Sequence, residues 1–462
     1  MKRVLILLFS LLPATLTLLS CGATPSSSTQ TSGLPYRALV TNGVSAGSGL
    51  AGAYLLNAQT DVRPNVSAIL AGNTPGMMLV TPNKTETLIF SGNGTQFSDN
   101  QLTFINNATE TAASHITLPG FTESIVISPD GSAAYAAVPT AAVVGQSPGI
   151  VLAISVGTGA GTGVVDVASV HYLAINNSGN RILGMSDVRA SLSAPCDTTP
   201  SFLFVITPSN IGIDPCPAVP MSGVIYPFDH PVTAFFSSDD TTAYVVNCGA
   251  ECGGTQASVQ KLEMTPSQCL PDGVCPPLNV SAASEALLNG TIMYLAGTPI
   301  PASPCTNQMT AATTCGLLTT VDLSQMTVTN PGVPITDGYH SRIALGANGQ
   351  LFIGAHTCTE ITPPTPPPAG AETRGCLSIY NTLSTAVGNV PAGGVVIPPA
   401  NGDVTGIEPV GRRSVVYVVQ QPVLWVYDTF TDGLQNIPTN PNNPGLIFGL
   451  VGDFVDVKVI DF

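Results

Sequence analysis

A chain of 462 residues can hold one large core or two to three ordinary domains. Only 9% of its residues are charged while Gly (46) and Pro (40) abound, which excludes a soluble helical protein, whose helix surfaces need Lys, Glu and Arg. The net charge of −15, with 13 basic residues and no Lys/Arg cluster, leaves nothing to neutralise phosphates and excludes a nucleic-acid partner.

The chain opens MKRVLILLFSLLPATLTLLSCGA, with Lys2 and Arg3 ahead of an apolar run that starts at Val4, then small and polar residues. That order is a secretory signal, too short and badly flanked for a membrane span. Its end, Leu18-Leu19-Ser20-Cys21, resembles the bacterial lipobox. The resemblance implies that residues 1–20 are removed and that Cys21 becomes a mature N-terminus carrying lipid on its sulfur. Gly22 rather than Asp after this Cys implies an outer-membrane destination in a two-membrane bacterium. Residues 22–34, GATPSSSTQTSGL, show no apolar periodicity and read as a flexible tether. The expected organisation is a signal peptide at 1–20, a lipidated Cys and tether at 21–35, and one folded domain at 36–462.

Further along, residues 127–137 read ISPDGSAAYAA, and the pattern recurs. Aligned on Tyr135, TPNKTETLIFSGN places Leu88, NNSGNRILGMS places Leu183, and SSDDTTAYVVN places Tyr244. LNGTIMYLAG, GANGQLFIGA and VGRRSVVYVVQQ place Tyr294, Phe352 and Tyr417, while YRALVTN offers Leu39 without a preceding turn. The eight anchors run from 39 to 417 at a mean spacing of 54 residues. Most are followed by an alternating run such as VLAISVGTG or LWVYDTFTD, then by a looser one such as VSAIL, ASHITL, VVDVASV or GVVIP. With the apolar approach to each turn, a period holds about four short strands, the signature of a β-propeller. The pattern S-P-D-G-x-x-x-Y-V followed by V-x-V-I-D-x-x-T resembles the YVTN-type propeller repeat, with Leu39-Val40-Thr41-Asn42 and Tyr244-Val245-Val246-Asn247 at its naming tetrapeptide. The expected fold is all-β: a single propeller of eight blades, seven being the alternative. DFVDVKVIDF (453–462) looks like a first strand lacking a second, and 36–42 like a second strand lacking a first. The C-terminal strand is therefore expected to close the ring.

Beside Cys21 the chain has ten cysteines, an even number that in an exported protein reads as disulfides. Local pairing gives Cys196–Cys216, Cys248–Cys252, Cys269–Cys275, Cys305–Cys315 and Cys358–Cys376. A crossed pair, Cys248–Cys275 with Cys252–Cys269, stays open. Cys248, Cys252, Cys305, Cys315, Cys358 and Cys376 follow anchors, in loops expected between second and third strands on one face of the disc. The stretch 356–376, HTCTEITPPTPPPAGAETRGC, is a stiff Pro-rich loop, either a contact surface or protease-resistant decoration.

Signatures of catalysis are missing. His115, His171, His230, His340 and His356 occur singly, without H-E-x-x-H, and read as structural residues. There is no G-x-S-x-G elbow, and Gly157–Gly161 lacks the Lys of a phosphate loop and reads as a hairpin turn. Asp239-Asp240 reads as a turn held by its own side chains, and Trp425 as core. First-strand segments such as SIVISP, VTAFFSS and SRIALGA are nearly uncharged, which argues against a loaded catalytic channel. No catalytic residue, metal ligand or cofactor is assigned. The leading reading is a membrane-anchored envelope lipoprotein whose propeller binds or scaffolds a protein or glycan. A lactonase-like hydrolase, signalled by three or more carboxylate or His groups at the channel mouth, and an outer-membrane assembly lipoprotein are the alternatives. Mass spectrometry of the mature protein is expected to find an N-terminal Cys21 with a thioether-linked lipid; an unmodified Cys21 or cleavage elsewhere refutes the anchor.

Overall fold

A computed structural model of the chain describes residues 31–43, 51–92, 98–144, 147–192, 196, 199–214, 216–221, 226–264, 273–301, 303–304, 314–360, 374–388, 390–398, 400–435, 445 and 452–461. Cys21, Cys269, Cys305 and most of the Pro-rich loop lie outside these residues. Short antiparallel strands dominate, grouped into eight consecutive small sheets. Blade 1 pairs Phe454–Val459, Arg37–Asn42 and Gly52–Asn57. Blade 2 spans Pro75–Val80 to Thr111–Thr117, blade 3 Ser124–Ile127 to Ala160–Asp166, and blade 4 Val170–Ile175 to Ala218–Pro220. Blade 5 spans Pro231–Phe236 to Val274–Asn279, and blade 6 Glu285–Asn289 to Thr327–Ile335. Blade 7 spans Tyr339–Leu345 to Val395–Val396, and blade 8 Val404–Pro409 to Gly433–Leu434.

All eight anchors sit in second strands and in one register. Tyr135 faces Val126 and Ala153 across its two ladders, Leu183 faces Ala174 and Val205, and Tyr417 faces Glu408 and Val426. The shortest anchor motif, at Leu39, lies between Lys458 and Leu55. Each preceding turn is built for reversal. In blade 3, Asp130 Oδ1 accepts hydrogen bonds from Ser128 Oγ at 2.6 Å and Ser132 N at 3.0 Å, and Gly131 takes a φ of +74°. Those donors hold the Asp130 carboxylate down at about 2.

Strand alternation then does the assembling. In the second strand of blade 3, Ala134, Ala136 and Val138 pack toward blade 2, while Tyr135 and Ala137 pack toward blade 4. The same division recurs round the disc, giving eight apolar clusters, one between each pair of neighbouring blades. Burial of such residues is worth roughly 1.5–3 kcal/mol for each large side chain.

The ring closes as the two chain ends suggest. Residues Ala38 to Asn42 pair antiparallel with Val459 to Phe454. Inside the closure Asp456, almost fully buried, accepts Met78 N–H of blade 2 at 2.8 Å, and Thr41 Oγ1 donates to Gly76 O at 2.8 Å. On the other side Asp61 receives a two-pronged contact from Arg413 at 2.7 Å and the Tyr417 hydroxyl at 2.5 Å, which ties blade 1 to blade 8.

Some expected details differ. VSAIL does not form a strand: blade 1 has two isolated bridges, Ala53 to Ile69 and Asn57 to Val62, in the place of its outermost strand. Pro64, which lacks an N–H, stands just ahead of it. Blade 6 carries an extra short strand, Ser303–Pro304. Disulfides Cys196–Cys216, Cys248–Cys252 and Cys358–Cys376 are present, so the crossed alternative through Cys248 and Cys252 is overturned. Cys275 and Cys315 are also disulfide-bonded. Cys315 lies within a third strand rather than in the loop before it. Asp456→Ala strands the buried Met78 N–H, and denaturant unfolding is expected to show a loss of about 1–3 kcal/mol; an unchanged midpoint would refute this role.

Candidate functional site at the channel mouth

The eight first strands ring a central channel. Chain direction fixes its two ends: first strands start, and second strands finish, on the face that carries the second-to-third-strand loops. Two disulfide-closed loops, at Cys248–Cys252 and Cys358–Cys376, lie on this face. Here the channel widens into a cavity of about 510 Å³ whose wall includes Met77, Glu123, Tyr172, Glu285, Tyr339 and Arg342.

These groups sit just before or within the first four positions of an inner strand. Glu123 immediately precedes the first strand of blade 3, His171 and Tyr172 are the second and third residues of blade 4, and Glu285 and Tyr339 start blades 6 and 7. A ring of strands brings such starting positions together although they are far apart in sequence. The expectation of an uncharged channel is therefore corrected. Segments such as SIVISP begin one residue too late to include the charge, and Arg342 within SRIALGA carries one itself.

Tyr172 and Tyr339, on non-adjacent blades 4 and 7, both line this cavity, and each phenol acts on the other. Burial raises both phenols, and the carboxylates of Glu123 and Glu285 raise them further. His171 is clamped: Nδ1 lies 2.9 Å from Glu123 Oε2 and Nε2 3.3 Å from Asp187 Oδ2. The hydrogen bond that His171 donates to Glu123 is the main cause that lifts its pKa above 6.5, against desolvation. Glu285 accepts the Ala286 N–H at 2.9 Å, and burial raises its carboxyl, opposed by Arg342. Arg342 Nε and Nη1 donate to the carbonyls of Thr405 and Ser341, both at 2.7 Å. Lys458 Nζ lies 3.4 Å from Glu408 and 3.7 Å from Asp456.

Behind the wall, the four-residue step of the Cys248–Cys252 disulfide closes a short loop that aims Glu251 at blade 6. Its carboxylate accepts Thr298 N at 2.9 Å and Ser284 Oγ at 3.2 Å, yet burial pushes its pKa up to about 7. Ser284 itself lines the cavity.

The other sequence candidates fall into structural places. His340 is fully buried with Nε2 donating to Thr336 O at 3.0 Å, and burial lowers it to about 4. His230 leans on Asp229 at 3.0 Å; His356 is the exception, since it lines the cavity, 3.9 Å from Asp403. Asp239 binds its own turn, while Asp240 accepts the N–H groups of Asn177 and Ser178 at 2.9 and 2.8 Å and so links blades 5 and 4. Gly157–Gly161 is a turn with Gly159 at φ +64°. Trp425 packs against the cluster between blades 7 and 8. Among the described residues no group of three or more His, Cys, Asp or Glu side chains is placed to hold a metal ion, and no helix among them is long and apolar enough to cross a membrane. Cys196–Cys216 leaves the shared face: it joins loops from opposite ends of the third strand of blade 4.

No family model matches the chain, and no curated protein matches it. Solved structures do. A functionally unknown protein from Desulfotomaculum acetoxidans is 14% identical with a TM-score of 0.46, over 78% of this chain and 98% of that one. Dihydro-heme d1 dehydrogenase NirN is 10% identical with a TM-score of 0.48, over 77% of this chain and 63% of that one. The β-propeller domain of Cps50 from Myceliophteria thermophila is 8% identical with a TM-score of 0.44, over 75% and 93%. These likenesses concern the fold alone.

The clamp on His171 has a measurable sign. Its folded pKa is raised, so the pair contributes stability that is fully present below about pH 6.5 and is lost as the pH rises through the folded pKa. NMR titration is expected to give a His171 midpoint above 6.5 that falls in Glu123→Gln; a midpoint indifferent to Glu123 refutes the pairing.

Proposed function

We propose that the protein is an extracytoplasmic binding module, anchored through lipid on Cys21, that offers the channel mouth and its disulfide-closed loops to a protein or glycan. The observation that carries this is the placement of the chain's entry. Ser32 Oγ donates to Glu110 at 2.6 Å, and Arg37 bonds the same carboxylate at 2.9 Å and Asp461 at 2.5 Å. Glu110 lies in the turn between the third and fourth strands of blade 2, on the face opposite the channel mouth. A tether leaving there turns the cavity and the stapled loops away from the bilayer, toward whatever lies beyond it. Disulfides support an oxidising compartment, and short stapled loops lose little freedom when a partner docks.

The convergence of Glu123, His171, Asp187 and Glu285 on the mouth favours a second reading, a lactonase-like hydrolase. Against it, both ring nitrogens of His171 are already committed to carboxylates, which leaves the imidazole no free nitrogen to serve a nucleophile. The outer-membrane assembly role stands as a special case of the binding reading, separated from it by co-purification with assembly machinery. The mature chain, probed against envelope glycans and proteins, is expected to bind a partner whose affinity falls at least about tenfold in Asp403→Asn or Glu123→Gln. Asp240→Asn, on the opposite face, is expected to leave that affinity unchanged. Turnover of a small lactone or ester by the wild type, abolished in the mouth variants, overturns the reading in favour of the hydrolase.

A further inference from the structure

The cavity at the channel mouth has the volume of a small-molecule site, about 510 Å³, and its wall combines aromatic rings, Tyr172 and Tyr339 among them, with charged groups of both signs. The cations are already engaged. Arg342 is held by two backbone carbonyls, His171 by Glu123 and Asp187, and Lys458 by Glu408 and Asp456. Of the two wall carboxylates, Glu123 is paired with His171, but Glu285 is not balanced in the same way. Glu285 keeps a single hydrogen bond, from Ala286 N–H, and makes no ion pair among the described residues. The carboxylates of Glu285, Glu251 and Glu123 all act on the Tyr339 hydroxyl and raise its pKa. A separate feature points the same way. Ser341 Oγ, on the wall beside Arg342, is buried without a hydrogen-bond partner. A buried hydroxyl left so needs a donor or an acceptor from something not part of the chain.

We propose that this cavity binds a small organic ammonium, primary or secondary, with its N–H groups on Glu285 and Ser341 Oγ and its carbon body against the rings of Tyr172 and Tyr339. A carboxylate without an ion pair and two electron-rich rings favour a cation over an anion. The unpartnered acceptors favour one that carries N–H donors over a quaternary ion. Arg342, fixed on the same wall, repels a ligand that brings a second positive charge close to it and so selects for monocations. The inference rests on the reading of this face as a ligand-binding one and specifies what its central cavity takes.

Titration calorimetry of the full mature chain with n-butylammonium tests it, with n-butanol and n-butyrate as the neutral and anionic counterparts and tetramethylammonium as the cation without N–H. Saturable binding of butylammonium is expected, weakened at high salt, with the alcohol and the acid at least about tenfold weaker. Glu285→Gln, which keeps the shape and removes the charge, is expected to lower affinity about tenfold or more, and Ser341→Ala by a smaller factor. Thermal unfolding of both variants shows that each is folded; should Glu285→Gln unfold, Ser341→Ala and Tyr339→Phe carry the comparison. Absent binding, equal binding of butanol, stronger binding of butyrate, or affinity unmoved by all three substitutions overturns the inference. A macromolecular partner that still binds the face when butylammonium does not leaves the binding reading standing and removes only this one. Ester turnover competitively inhibited by butylammonium does the reverse.

Discussion

A propeller blade cannot cover its own two faces, and everything else in this protein follows from that. The residues of a second strand alternate between neighbours, so Tyr135 belongs to one interface and Ala134 and Ala136 to another. Each sheet is stable only while flanked on both sides, and the flanking sheet has the same need. The chain meets this demand by closing on itself. Phe454–Val459 lies against Arg37–Asn42, and Asp456 and Thr41 carry the closure into blade 2 through buried hydrogen bonds. No blade is left with a long exposed face, which is how such a weakly charged and Gly-rich chain remains a defined fold.

The same geometry makes the site. Closing the ring draws the starting ends of the inner strands onto one small circle. Polar residues at strand starts are ordinary in an isolated sheet, where they face water. Here Glu123, Tyr172, Glu285 and Tyr339 meet round one cavity instead, and Glu123 holds His171 beside it. Their proximity is the reason burial pushes Glu251 and Glu285 up while a neighbouring carboxylate pushes His171 up. The Cys248–Cys252 staple contributes by fixing the direction of Glu251, so the disulfides and the cavity are parts of one construction.

The architecture was legible because it is written in local periods. Ser128-Pro129-Asp130-Gly131 specifies a reversal within four residues, and its recurrence specifies the ring. The count of eight was legible from the anchors even where the motif was degenerate, at Leu39 and Leu183, since both are fully buried in the expected strand. Partners close in sequence were legible too: Cys248 with Cys252, and Asp239 with its own turn. The cavity was not. Tyr172 and Tyr339 are 167 positions apart in the chain, and nothing local in either marks the other. The signal that could have found them is positional: a charged or phenolic residue at the first few places of several inner strands. VSAIL misled in the opposite direction, because alternation alone does not reveal that an outermost position needs only isolated bridges.

The closing strand also sets a schedule. The chain is made from its N-terminus, and the partner of Arg37–Asn42 is encoded in its last ten residues. Until those arrive, the first strand segment has no inner neighbour and blades 2 and 8 each lack a wall, so the growing polypeptide is an open stack with two sticky ends. Contacts this distant in sequence form late and slowly. Completion is thereby made to depend on the closing strand: a chain that stops short of it presents its unclosed edge to chaperones and proteases, and only one that includes it withdraws that edge.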